Sequence, residues 1–180
     1  FGFMLFAVLL INALGGALGG IYNIFFLSHS LLNFSYTETL FINQVCVLLA
    51  IIISSLTGND YFGKQSLPRL MLWATLGLSL VGLSNLFNQV VLGLLFLFLT
   101  LYVSGKVSPK ISAMLMKNLA PDVLARTSNF LGLLFTLSIP VGTACFSLVA
   151  VWNMQLTWML FVSLSLLAIL LTGLNLKNDI

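Results

Sequence analysis

The chain has 180 residues, 60% of them hydrophobic and only 6% charged. A soluble domain of this size carries about a quarter charged residues, so the composition excludes an ordinary water-soluble enzyme or binding module. The net charge of +3 does not argue for a nucleic-acid partner, because most of the basic residues fall in short connections between apolar stretches.

A helix of about 20 apolar residues crosses the hydrocarbon core of a bilayer, and the chain contains six stretches that meet this length. The first, 1–27, runs to Ser28, His29 and Ser30, and a polar loop with Asn33, Ser35, Thr37 and Glu38 follows. The second, 39–57, is stopped by Gly58, Asn59 and Asp60. A turn over 58–68 then contains Gly63, Lys64 and Pro68, residues that punctuate helices. The third, 69–86, begins at Arg69 and ends in a tight turn marked by Asn85, Asn88 and Gln89.

The fourth span, 90–117, is interrupted. Residues 90–103 are apolar, but Ser104, Gly105, Lys106, Ser108, Pro109 and Lys110 follow before the apolar run resumes at Ile111. The preferred reading is one long helix kinked at Pro109, since neighbours in a membrane can satisfy the carbonyl that proline frees. The alternative is a helix that ends near Val103, with an interfacial helix after it. Ala120, Pro121 and Asp122 open the next helix, with proline at an early position that suits it. Its apolar span is 128–150, and the sixth is 155–174. Trp152 and Trp158 flank that last connection as expected aromatic anchors at the outer interface. The apolar start at Phe1 and the polar residues from Asn175 to Ile180 read as the C-terminal part of a longer protein.

Lys64, Arg69, Lys117, Arg126 and Lys177 lie in or beside the second, fourth and sixth connections, while the first, third and fifth contain no Lys or Arg. Basic residues are retained on the cytoplasmic side, so a multi-pass protein of the cell membrane with a cytoplasmic C-terminus is expected. Two sets of three spans also suggest a weak internal symmetry.

Within this frame, several residues are candidates for function. Lys106 and Lys110 are four apart and share a helix face. An ammonium inside a membrane faces a cavity, finds a partner or snorkels to the headgroups, so these two either line a substrate path or reach the cytoplasmic interface. Gly15, Gly16, Gly19 and Gly20 form two overlapping GxxxG pairs whose ordinary meaning is close helix packing. Asn12, Tyr22 and Asn23 flank that cluster and either bind a substrate or join neighbouring helices. His29 and Glu38 bracket the first loop, where solvated helix ends are the plainer reading and proton coupling the sharper one. Asp60, Gly63, Lys64 and Arg69 fit a gate or an ordinary charged loop. Cys46 and Cys145 sit in apolar stretches as small hydrophobes. No metal spacing, cofactor motif or paired catalytic set is present, so neither a cofactor nor an enzyme is expected. Ser104 and Ser108 beside Lys106 lack the second signature that a serine–lysine hydrolase needs.

The segment Asp60-Tyr61-Phe62-Gly63-Lys64 resembles the D-x-x-G-[RK] centre of the loop motif between helices 2 and 3 of major facilitator superfamily transporters. The stretch from Leu119 to Arg126, with Pro121 and Asp122, resembles that family's cytoplasmic connection after the fourth helix of a half. The chain departs from the pattern at Leu56, where the motif opens with glycine, and at Gln65. The sequence Ile139-Pro140-Val141-Gly142 likewise differs from the Gly-Pro pair of drug/proton antiporters. These departures resemble the decayed motifs of a C-terminal half, in an efflux-type branch of the family.

The resemblance implies an all-α membrane protein of six transmembrane helices, half of a major facilitator superfamily fold. It also implies proton-coupled efflux of small amphipathic or hydrophobic compounds by alternating access, with the missing N-terminal half and the lipid bilayer as partners. The first and fourth helices would line the cavity, placing Asn12, Tyr22, Asn23, Lys106 and Lys110 as substrate-binding residues. Asp60, Gly63, Lys64, Arg69 and Arg126 would serve gating. A stand-alone six-helix membrane subunit or immunity-type protein, which binds a partner and moves nothing, is the alternative from a different class.

Overall fold

The computed structural model describes residues 2–118 and 121–178, and its regular structure is entirely helical. Phe1, Leu119, Ala120, Asp179 and Ile180, which the sequence assigned to the chain ends and the fourth connection, lie outside the described residues. The helices are α1 (Gly2–Phe25), α2 (Tyr36–Leu56), α3 (Leu67–Leu86), α4 (Val90–Ser104), α5 (Val107–Asn118), α6 (Pro121–Trp152) and α7 (Met154–Asn178). Six segments are long and apolar enough to cross a membrane, with α4 and α5 counting as one.

Local chemistry sets the ends. Ser35 Oγ accepts from the Glu38 N–H at 3.3 Å, and Glu38 Oε2 accepts from the Ser35 N–H at 2.8 Å. This reciprocal capping box starts α2 inside the patch expected to be loop. Glu38 is therefore a helix cap, while the His29 ring stacks on Phe25 with centroids 4.5 Å apart. Between α6 and α7 only Asn153 is non-helical. Its Oδ1 accepts from the Leu156 N–H at 3.0 Å and its carbonyl from the Thr157 N–H at 3.1 Å. The polar residues 175–178, expected as a tail, continue α7.

The fourth span breaks at Gly105 and Lys106, ahead of Pro109. The Lys106 N–H bonds to the Val103 carbonyl at 3.1 Å, a tightened turn that leaves the Tyr102 carbonyl without its helical donor. Ser54 Oγ on α2 supplies one at 2.7 Å. Pro109 lies in the first turn of α5, where its missing N–H frees no carbonyl inside that helix. The kink expected at Pro109 is therefore displaced to Gly105, where a neighbouring hydroxyl satisfies the interrupted ladder.

Close packing follows the small residues. A Cβ added at Gly16 would stand 2.7 Å from the Ile139 carbonyl oxygen on α6, whereas one at Gly15 or Gly19 would meet nothing within 4 Å. Gly20 likewise abuts Thr143 and Ser147. One of the two GxxxG pairs thus seats α1 on α6, and Thr143 Oγ1 donates to the Gly16 carbonyl at 2.8 Å across the same seam. The other extensive pairings are α3–α4, α3–α7, α1–α7 and α2–α4.

Exchanging the first membrane segment with the fourth, the second with the fifth and the third with the sixth leaves this set of pairings unchanged. Under that exchange α1–α6 becomes α4–α2, α1–α7 becomes α4–α3, and α3–α7 maps onto itself. The packing therefore has a three-plus-three pattern that no residue-level repeat displays.

The main core gathers Tyr22 and Phe25 of α1 and Phe26 just beyond it with Val81, Leu94, Leu97, Trp158 and Phe161. Trp158 is 1% exposed, with its ring edge-on to those of Tyr22 and Phe25. It is thus a core residue and not a lipid-facing anchor, while Trp152 is 86% exposed.

Candidate functional site

Two features stand out: a polar latch at the end of the bundle that carries the α2–α3 loop, and a cavity beside it.

The latch is built on Asp60. Its Oδ1 lies 3.0 Å from Lys106 Nζ, the single ion pair among the described residues. The Gly63 N–H donates to the same oxygen at 2.8 Å, and the Tyr102 hydroxyl donates to Oδ2. A Cβ at Gly63 would clash first with the Gly58 carbonyl oxygen and then, at 2.9 Å, with Asp60 Oδ1, so glycine lets the loop close on itself and on the carboxylate. Burial pushes the Asp60 carboxyl up, but the hydrogen bonds from Tyr102, Lys106 and Gly63, together with the Lys106 charge, outweigh this and bring its pKa down to about 2.

Lys106 also donates to the Thr57 carbonyl and, at 3.2 Å, to Thr57 Oγ1. These groups close the C-terminal end of α2, where a cation is electrostatically favoured. The ammonium stands 4.6 Å from the Tyr102 ring centroid, a cation–π distance. With 6% exposure, Lys106 is buried and satisfied on several sides. One turn on, Lys110 Nζ donates to the Gln65 carbonyl at 2.5 Å. Both lysines therefore hold the loop between α2 and α3 against the break in the fourth span.

The cavity lies between α1, α4–α5 and α6 and has a volume of about 200 Å³. Asn12 projects from α1; Ser104, Ser108 and Ser112 recur every four residues along α4–α5; and Ser128 comes from α6. None of these five side chains makes a hydrogen bond among the described residues. Elsewhere in the bundle, the hydroxyls of Thr75, Ser84, Ser163 and Thr172 bond back to their own helices. Val8, Ile11, Leu115, Leu131 and Phe135 supply apolar walls. A second compartment of about 270 Å³ continues between α1 and α4, sharing Ile11, Asn12 and Ser104. Joined, the two fall within the roughly 300–1,000 Å³ of small-molecule sites.

Of the residues expected to bind substrate, Asn12 alone lines this cavity. Tyr22 is buried in the aromatic core, where its hydroxyl accepts from Asn85 Nδ2 at 2.8 Å. Asn23 is exposed, and its carbonyl accepts from the Tyr36 hydroxyl at 3.2 Å. Lys106 and Lys110 belong to the latch. Of the gating set, Asp60 and Gly63 are in the latch, while Lys64, Arg69 and Arg126 are exposed without a side-chain partner among the described residues. Sequence reasoning missed Tyr102, Thr57 and Ser54, which lie in or beside apolar runs and carry no local signal. It also missed the serine series as a unit, although the four-residue spacing is visible in the sequence.

Cys46 and Cys145 are free thiols. The described residues contain no cluster of metal-ligating side chains. The chain matches no family model, no curated protein and no solved structure.

Proposed function

We propose that this chain is half of a secondary membrane transporter that works by alternating access, built on the plan of the major facilitator superfamily. The observation that carries the reading is the cavity between the first and fourth membrane segments, with polar side chains left unpartnered along it. A bundle built only for assembly has no need to keep such groups apart from its own backbone. The three-plus-three packing supports the same plan, since transporter halves are commonly built from such repeats.

In this reading the basic end, carrying Lys64, Arg69 and Arg126, faces the cytoplasm of a cell membrane, as retention of Lys and Arg favours. The Asp60–Lys106–Tyr102 latch then stabilises one arrangement of the α2–α3 loop against the fourth segment. Substrate binding favours whichever arrangement it fits better, and the difference in affinity drives the population change. The cargo is a small amphipathic or hydrophobic compound, the second wall of the cavity comes from the missing half, and a proton gradient is the energy source.

The test is transport by the full-length protein in inverted vesicles, using lipophilic dyes with and without an uncoupler. Uncoupler-sensitive movement is expected. A folded protein that moves none of them would point instead to a subunit that binds a partner.

A further inference from the structure

The geometry points to a ligand whose edge against this half of the cavity is uncharged, held there by serine hydroxyls and flanking apolar side chains. This deepens the transport reading and rests on it. Four observations combine.

First, the residues lining both compartments include no ionisable side chain. Second, the two cations closest in sequence to these serines, Lys106 and Lys110, are directed elsewhere, to Asp60 and to the carbonyls of Thr57 and Gln65. Against this wall of the cavity an anionic group would therefore be desolvated without a countercharge, and a cationic one would meet no carboxylate. Either loss is severe in a low-dielectric site.

Third, Ser104, Ser108, Ser112, Ser128 and Asn12 all line the first compartment with their hydrogen-bonding capacity unused. Hydroxyls and an amide can both donate and accept, so they suit hydroxyl, carbonyl or amide groups on a ligand. Within α5, at 1.5 Å per helical residue, Ser108 and Ser112 are separated by roughly 6 Å along the axis, and Ser104 adds a third hydroxyl from across the break. A ligand with two or three polar groups along one edge would match that series. Fourth, Val8, Ile11, Leu131 and Phe135 line the same compartment and would cover the ligand's apolar edge. The ligand is thus an amphipath whose edge on this half is neutral and carries polar groups.

Photolabelling of the full-length protein in nanodiscs tests this. The probes are three alkyl diazirines with the same apolar body, ending in a diol, a carboxylate or an amine, with labelled peptides read by mass spectrometry. The diol is expected to label peptides of α1, α5 and α6 around Asn12, Ser108 and Ser128, while the charged probes label them at background. Ser104→Ala/Ser108→Ala/Ser112→Ala should lower diol labelling by about fivefold or more, the equivalent of at least one lost hydrogen bond. These exchanges favour helix, so the variant should fold.

Equal labelling by a charged probe would overturn the neutral-edge inference and leave the cavity reading standing, as would unchanged diol labelling in the triple variant. No labelling of cavity peptides by any probe would overturn both.

Discussion

Asp60 Oδ1 and Lys106 Nζ stand 3.0 Å apart, joining the loop after α2 to the point where the fourth span breaks. The pair explains how a lysine with 6% exposure is tolerated near the end of an apolar span. The ammonium meets a carboxylate, a helix-terminal carbonyl, a threonine hydroxyl and an aromatic face. Removing one member of such a pair leaves the other charge buried, a larger loss than removing both. Asp60→Asn and Lys106→Met should each lower stability by about 1–3 kcal/mol, with Lys106→Met toward the lower end because the charge it leaves behind, Asp60, keeps partial contact with water. The double variant should lose clearly less than the sum of the two, measured by thermal unfolding in detergent. Additive losses would mean that the contact carries no coupling.

The depressed carboxyl pKa of Asp60 gives this contact a pH signature. A carboxylate held at about 2 instead of 3.8 contributes stability that is full above about pH 4 and lost as pH falls toward 2. The stability difference between the wild type and Asp60→Asn should therefore be constant from pH 7 to about 5 and shrink between about pH 4 and 2. A gap that persists unchanged at pH 2 would place the effect of the Asp60→Asn exchange in something other than charge.

The glycines of α1 separate by face. Gly16→Val and Gly20→Val force a side chain into α6 and should each cost about 1–3 kcal/mol. Gly15→Ala and Gly19→Ala meet nothing within 4 Å and should be neutral or gain up to about 1 kcal/mol from helix propensity. Equal losses at all four positions in thermal unfolding would contradict the α1–α6 seam.

At the break in the fourth span, a Cβ on Gly105 would stand 2.6 Å from Ser54 Oγ. Gly105→Ala should destabilise by about 1–3 kcal/mol through overpacking. Ser54→Gly alone also destabilises, because it removes the donor to the Tyr102 carbonyl, but the double variant should lose clearly less than the sum of the two. Additive losses would mean that the strain lies elsewhere.

The six spans were legible because length and apolarity alone define a membrane helix. Their ends were less so. α2 begins at Tyr36 rather than 39, because the Ser35–Glu38 capping box starts it, whereas α6 begins at Pro121, where the sequence opened that helix ahead of its apolar span. The split at Gly105 instead of Pro109 depends on Ser54, which is distant in sequence. The direction of Lys106 was hidden for the same reason: spacing gives a helix face, but not which neighbour that face meets. Asp60 and Gly63 were visible through the loop motif, whereas Tyr102 looked like any aromatic residue in an apolar run. Trp158 sits at a span end, and only the packing of α7 on α1 and α3 reveals it as core.

If the cavity between the first and fourth segments opens in turn to the two sides of the membrane, Ser108 is reachable from each, and side-specific labelling at that position reads this out. Ser108→Cys would be introduced into full-length protein carrying Cys46→Ser and Cys145→Ala. A membrane-impermeant maleimide would then be applied to right-side-out and to inverted vesicles, with and without a transported dye. With alternating access, the introduced thiol is expected to be labelled from both sides, and the dye to change the two rates in opposite directions. Labelling from one side only, at a rate the dye leaves unchanged, would contradict it.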